Sequence, residues 1–454
     1  MSGERLPLLS DQYDRLLVGD WIDRQGLGAD VRMFGSGFRL TGPLHVDALR
    51  SVLTALVARH EALRVAFPDR GLSGYQIVCP PPEVELTEWD LRDLPDNERW
   101  EEAARIVGER LSKNVDLEAG LLLSAALVRL GDEDHLLGLA ADHLVVDGEA
   151  LELLVGELWS MYAAKVGGQA PNLPEQQSTY SDFVRWEADW LRRDPAARQA
   201  IALMAQRLDG LGVNPPVLLP GAKRETNQAY TVGSMSGSLP DDTVDVLSAH
   251  CQASRTTPFV TLLSAYLCAL HVCGNPTDLG LNIPVTRRTE PHLFDLVCAL
   301  STHATTRVRL DLSLPFLELT RRVRASVLET FRLGQVPAPA VMATLAPHML
   351  GRLFERPSGF FDVSPAWWSG SGRRVAALSV EPVNVRFQTN QIESLAMFAS
   401  VIDRRVAFTV LYPADVFDDV SVGDLVRVFT SVVHRCLSEP RSPVGTLLPS
   451  LARG

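Results

Sequence analysis

The stretch Ala141-Asp142-His143-Leu144-Val145-Val146-Asp147-Gly148 decides how the rest of this chain is read. An apolar run, Leu136 to Ala141, leads into it, and a helical pattern follows from Glu149. An imidazole at a strand end, with Asp-Gly four and five residues later, makes a compact polar turn. The aspartate ties the loop down while the histidine is aimed into a cleft. Just upstream, Leu121 to Leu130 is almost wholly apolar and predicts a buried strand. Gly131-Asp132-Glu133-Asp134 is then the turn that returns the chain toward His143. Just downstream, Leu151, Leu154, Val155, Leu158 and Tyr162 fall on one helical face. Asp147 stands where it would cap that helix.

Near the start of the chain, Ser10 opens a short helix with Tyr13, Leu16 and Leu17 expected on its inner face. Val46, Leu49, Leu53, Leu56, Val57 and His60 recur at helical spacing. His60 is expected to be partly buried, paired with an acid and fixing the helix end. Residues 98–113 read as a further helix. A loop over 167–174 separates this first half from a helix expected to run from Tyr180 to about Leu208, with Trp186 and Trp190 packed in the core. The second half repeats the grammar of the first. A strand near 230–238, a helix from Asp241 and a buried helix starting at Thr256-Thr257-Pro258 are followed by strands at Leu279 to Val285 and His303 to Leu310. A helix at 315–333, a hairpin through Asp403-Arg404-Arg405 and a last helix, Val420 to Leu437, complete the chain. Two α/β lobes are therefore expected, residues 1–178 and residues 179–454. The Asp-His-x-x-x-Asp-Gly turn occurs only in the first, which predicts one active site between the lobes.

The totals agree with two lobes, since 454 residues exceed what one hydrophobic core serves. A formal net charge of -12 argues against a nucleic-acid partner, although a local basic patch for an acidic protein remains compatible with it. The N-terminus has no basic region followed by an apolar one, and no uninterrupted apolar run reaches the roughly 18 residues of a membrane span. A cytoplasmic protein without a membrane partner is expected. The six cysteines form no C-x-x-C pair and match no zinc spacing, so no metal site is expected and the thiols read as free and buried.

Five segments, in order, resemble the condensation domains of nonribosomal peptide synthetases. Arg59-His60-Glu61-Ala62-Leu63-Arg64 is similar to that family's RHExLR segment, and Asp142 to Gly148 to its HHxxxDG motif. Tyr180-Ser181-Asp182-Phe183-Val184-Arg185-Trp186 is similar to YxDFAxW, Pro284 to Arg288 to PVxGR, and Val406 to Phe417 to the final strand and loop. The resemblance implies two chloramphenicol-acetyltransferase-like lobes arranged as a V-shaped pseudo-dimer, with a tunnel at their junction. It implies a free-standing condensation enzyme with no cofactor of its own. The acyl or aminoacyl donor would be a thioester on a phosphopantetheinyl carrier protein acting in trans. The acceptor would be a small-molecule alcohol or amine, giving an ester or amide in natural-product biosynthesis, enediyne cores included. Three positions depart from the pattern: Asp142 replaces the first motif histidine, Arg287 replaces the glycine of PVxGR, and Ser301-Thr302-His303 replaces a Val-Asn-Thr-like strand.

Thioester alcoholysis or aminolysis requires the nucleophile to be held, to lose a proton, and to attack while the oxyanion is stabilised. His143 is the expected base or acceptor-orienting group. The backbone N–H of Gly148 is the expected oxyanion donor. Asp147 is expected to be structural, either as a helix cap or, as the resemblance implies, in an ion pair with Arg288. Asp142 is expected to bond the loop or to face His143. Ser301 and His303 are candidate tunnel residues. Readings from other classes are a catalytically inactive condensation-like module recruiting a partner enzyme, an epimerase-like relative, and a carrier-free CoA acyltransferase. The last would carry a late DFGWG segment, and Phe361-Asp362-Val363-Ser364 is not one.

Overall fold

The apolar runs on either side of Gly131 form an antiparallel hairpin, Leu123–Arg129 with Asp134–Asp142, in which Leu123 faces Ala141 and Arg129 faces His135. This computed structural model describes residues 4–25, 32–222, 232–345, 357–363, 372–385, 394–402 and 405–449. The hairpin is buried on both faces, which is why its sequence is a continuous apolar run rather than an alternating one. Leu137, Leu139 and Ala141 enter one core with the helices Val46–Arg59 and Gly148–Val166. Leu136 and Ala140 enter a second with the helix Asp96–Leu111.

The hairpin lies inside a six-stranded sheet. Across it the strands run Arg373–Val375, Leu378–Val383, Met33–Thr41, Asp134–Asp142, Leu123–Arg129 and Leu86–Asp90. A second six-stranded sheet runs Ser301–Arg309, Asp278–Thr286, Ser358–Val363, Ser394–Ile402, Arg405–Pro413 and Val232–Ser238. A small sheet joins Arg5–Pro7, Tyr75–Val78 and Val65–Ala66. The helix Pro258–Val272 is buried almost all round in the second half, with Thr257 accepting from the Val260 N–H at its start. The mixed α/β class is as expected. The turn residues 403–404 of the late hairpin and Ser364 lie outside the described residues.

The two halves are knitted across residue 178. Tyr180, Phe183 and Val184, together with Leu293, Leu296, Val297, Cys298 and Leu300, are buried in the core of the first half. Residues 378–383 pair antiparallel with the strand Met33–Thr41, so the second half supplies two strands to the first sheet.

Three local expectations are corrected. The helix expected to run from Tyr180 to Leu208 is two, Tyr180–Arg193 and Pro195–Leu208. Pro195 pushes Asp194 to extended backbone, and Asp194 then caps the next helix through the Ala196 N–H. Trp186 is half exposed and stacks on Trp190 rather than entering the core, because the helix turns Tyr180, Phe183, Val184 and Glu187 inward. In the first helix, Ser10–Gln25, Tyr13 and Leu17 are exposed, whereas Gln12 and Leu16 are buried.

Among the described residues no helix is long and apolar enough to cross a membrane. All six cysteines are free, and five of them are buried.

Candidate active site at the Asp142–Gly148 turn

Asp142 ends its strand opposite Met33, and its carbonyl accepts the N–H groups of Val145 and Val146 at 3.0 and 3.2 Å. Those two bonds make the tight turn that swings His143 out of the sheet. The His143 N–H donates to the Arg32 carbonyl at 2.9 Å. Its ring stacks on Phe34, centroids 5.1 Å apart, and Nδ1 lies 2.6 Å from the Val146 carbonyl oxygen. A carbonyl only accepts, so Nδ1 carries the proton and Nε2 keeps its lone pair. The side chain is half-buried. Burial pushes its pKa down to about 3, the Arg15 charge acting in the same direction and the Val146 carbonyl against it. The imidazole is therefore neutral at physiological pH.

Asp142 does not face the imidazole. Its Oδ2 accepts from Arg32 Nε at 3.1 Å and its Oδ1 from the Leu144 N–H at 3.0 Å, with both members of the ion pair buried. The position where the first motif histidine would stand is thus a buried carboxylate that pins the loop from inside.

Both expected roles of Asp147 are present together. Oδ1 caps the following helix through the Ala150 N–H at 2.8 Å. Oδ2 accepts from Arg288 Nη1 at 2.9 Å and from the N–H groups of Leu300 and Ser301 at 2.8 and 2.7 Å. Burial alone would raise this carboxyl; the Arg288 charge and the N–H donors outweigh it and hold the group below its ordinary range. Arg288 also donates to the carbonyls of Leu296 and Cys298. Gly148 is the first residue of the helix, so its N–H has no intrahelical acceptor, and the capping side chain goes to Ala150 instead.

These bonds bring His143, Asp147, Gly148, Arg288 and Ser301 into one locus, joining the motif turn to the strand Ser301–Arg309. His303 is two residues further along that strand and half-buried; burial lowers its pKa, Asp11 opposes this and Arg15 adds to it. Arg287, where the resembled family has glycine, is buried. It is ion-paired with Glu187 and with Asp11 at 3.3 Å and lies over the Phe183 ring. Sequence reading missed Asp11, Gln12, Arg15, Arg32 and Glu187. Gln12 donates to the Leu144 carbonyl at 3.0 Å, and Thr302 donates to Asp11 at 3.3 Å. No spacing rule marks them, since each works through a partner distant in sequence. His60 is buried, donating from Nε2 to Glu157 at 2.7 Å and accepting from Gln176 at Nδ1.

Among the described residues no group of three or more His, Cys, Asp or Glu side chains is placed to hold a metal ion.

A family model for the condensation domain matches residues 35–451. A curated relative, the phosphinothricin tripeptide synthetase PhsC of Streptomyces viridochromogenes, is 32% identical over 319 residues, which are 70% of this chain. Those residues cover only 29% of that relative. Among solved structures, the X-domain from teicoplanin biosynthesis matches with a TM-score of 0.83 at 22% identity, over 99% of both chains. The first condensation domain of the calcium-dependent antibiotic synthetase, in complex with a substrate analogue, matches with a TM-score of 0.77 at 19% identity, over 100% of both chains. At those identities the structural likeness speaks for the fold alone.

Proposed function

The chain belongs to the condensation-domain family, and from that premise we propose that it is an acyltransferase with His143 at its chemical centre. It takes an acyl or aminoacyl group from a thioester on the phosphopantetheine arm of a carrier protein. It passes that group to an alcohol or amine, forming an ester or an amide.

The observation that carries this reading is the Nδ1–H···O=C bond from His143 to Val146. It leaves a neutral imidazole with its Nε2 lone pair available, held on a loop braced by Asp142 on one side and Asp147 on the other. A thioester is already activated, so positioning supplies much of the rate and a weak base suffices. Nε2 accepts the acceptor's proton, or orients an amine that loses it later. The Gly148 N–H, at the positive end of a helix of 19 residues, faces charge developing on the carbonyl oxygen. Asp147 is committed to four donors and takes no part in proton transfer.

Carrier-bound acyl donors incubated with mixed alcohol and amine acceptors test the proposal. Wild type forms the ester or amide, and His143→Ala lowers turnover by at least ~100-fold, the usual scale for a general base. Equal turnover in the variant removes His143 from the chemistry. The competing reading is a recruitment module, motivated by the likeness in fold to the X-domain from teicoplanin biosynthesis, which is also solved as a complex with OxyB. It predicts no transfer with any pair and saturable binding of a partner enzyme.

A further inference from the structure

Two of the contacts that hold His143 come from one neighbouring stretch of chain. Arg32 supplies the carbonyl that takes its backbone N–H, and Phe34, two residues on, lays its ring against the imidazole. The two ring planes are 20° apart, a near-parallel stack rather than an edge contact. A third contact is the Nδ1–H bond to the Val146 carbonyl. Phe34 pairs with Ala141, two residues before His143, so the ladder between Met33–Thr41 and Asp134–Asp142 sets where its ring stands. Gly35 keeps that ladder close, since a Cβ there would lie 2.3 Å from the Leu139 carbonyl oxygen and 2.6 Å from the Ala140 Cβ.

One hydrogen bond fixes the tautomer of an imidazole but leaves the ring free to rock about the N–H···O line. The Phe34 face removes that freedom, because rocking would lift one ring from the other. The stack also bears on charge. When Nε2 takes a proton the imidazolium needs a compensating group, and the two carboxylates of the motif turn are committed elsewhere. Asp142 is turned to Arg32 and the Leu144 N–H, and Asp147 is held by Arg288 and three backbone N–H groups. Burial and the Arg15 charge work against protonation, and Asp147 offsets them only in part. Two direct contacts favour a positive ring: the Val146 carbonyl and the π-face of Phe34.

We propose that Phe34 is a positioning residue. Its ring fixes the plane of the His143 imidazole, and with it the direction of the Nε2 lone pair, and its π-face steadies the imidazolium while Nε2 carries the acceptor's proton. This rests on the acyl-transfer reading above and adds a residue to that site. In the reaction the N–C or O–C bond forms, the C–S bond breaks, and the proton passes by way of Nε2 to the carrier thiolate. Phe34 itself exchanges nothing. Leucine at this position keeps apolar bulk without a π-face, whereas tyrosine keeps the face, so the two substitutions separate packing from stacking.

The test pairs steady-state kinetics on carrier-bound donors with nitrogen NMR of protein carrying isotope-labelled histidine, the His143 signals being identified by their loss in His143→Gln. In the wild type the imidazole is expected as the single Nδ1–H tautomer. Phe34→Leu is expected to mix the tautomers or broaden those signals, and to lower kcat about tenfold with KM nearly unchanged. Phe34→Tyr is expected to keep both the spectrum and kcat. A leucine variant with the wild-type kcat overturns the proposal, as does one whose His143 signals match wild type, and so does a tyrosine variant that fails as leucine does. Transfer that proceeds equally well in wild type and Phe34→Leu leaves the acyltransferase reading standing and removes Phe34. A ring freed in Phe34→Leu, with no transfer by the wild type to any acceptor, sinks the acyltransferase reading and leaves the hold of Phe34 on the imidazole standing.

Discussion

Asp147 is a single carboxylate serving two halves of the chain. One oxygen caps the helix behind the motif turn, and the other gathers Arg288 with the N–H groups of Leu300 and Ser301. Removing it leaves three backbone donors without their acceptor and takes from Arg288 its buried carboxylate, leaving that guanidinium Glu149 at 3.3 Å and two carbonyls. Losing one partner of a buried ion pair costs about 3–5 kcal/mol. Asp147→Ala is therefore expected to lower the midpoint of urea unfolding sharply or to abolish soluble protein. Asp147→Asn keeps the cap and is expected to fall between that variant and wild type. A midpoint for Asp147→Ala equal to wild type would leave the carboxylate without its structural role. Asp142 shows the same logic with a different residue type. Facing Arg32 it is a buried, ion-paired carboxylate, so the departure from the motif's first histidine changes what braces the loop.

At the level of elements, the strand Asp134–Asp142 has to pass directly beneath the helix Asp96–Leu111. A Cβ on Gly138 would lie 2.4 Å from Val107 Cγ1 and 2.6 Å from Leu111 Cδ1, both in the buried interface. Gly138→Ala is expected to destabilise by about 1–3 kcal/mol, measured by chemical denaturation, because the helix must lift. A stability gain would show that the interface yields more easily than its packing suggests. The hairpin itself was legible: its apolar runs and the Gly131 turn needed only local chemistry. So was the helix from Gly148, whose apolar positions keep a helical period. What escaped is instructive in physical terms. The strands Arg373–Val375 and Leu378–Val383 are short and partly exposed, and Met33–Thr41, on which the second of them pairs, lies over 300 residues away in sequence. The apolar spacing of the first helix predicts Tyr13, Leu16 and Leu17 inward, yet only Leu16 is buried. Its inner face is instead partly polar, because Asp11 and Gln12 answer bonds from elsewhere in the site. A rule that sends apolar residues inward fails where a helix face answers buried polar groups of other elements.

At the scale of the whole molecule, four of the described histidines resist protonation, and this shapes its response to acid. His135, His143, His250 and His303 all have lowered pKa values, with burial the leading cause in each; His143 falls to about 3 and His250 to about 4. In the unfolded chain each would titrate near its ordinary value of 6.5. Above that pH neither state binds the proton and these groups contribute nothing to pH dependence. As pH falls below it, the unfolded chain takes up protons that the folded protein refuses, so stability is lost progressively until the folded pKa is reached. The slope is about 1.4 kcal/mol per pH unit for each histidine fully protonated only in the unfolded state. Asp147 acts later, since its depressed pKa releases stability only as pH drops through the carboxylate range. Urea midpoints at pH 7.5, 6.5 and 5.5 read the histidine window alone, since all three lie above the carboxylate range. A clear fall is expected between 6.5 and 5.5, and His250→Gln, which removes the imidazole beside Thr320 and Phe316, is expected to make that fall shallower. Midpoints constant down to pH 5.5 would mean that the folded protein protonates these rings as readily as the unfolded chain does, and that its interior admits more water than the packing around them allows.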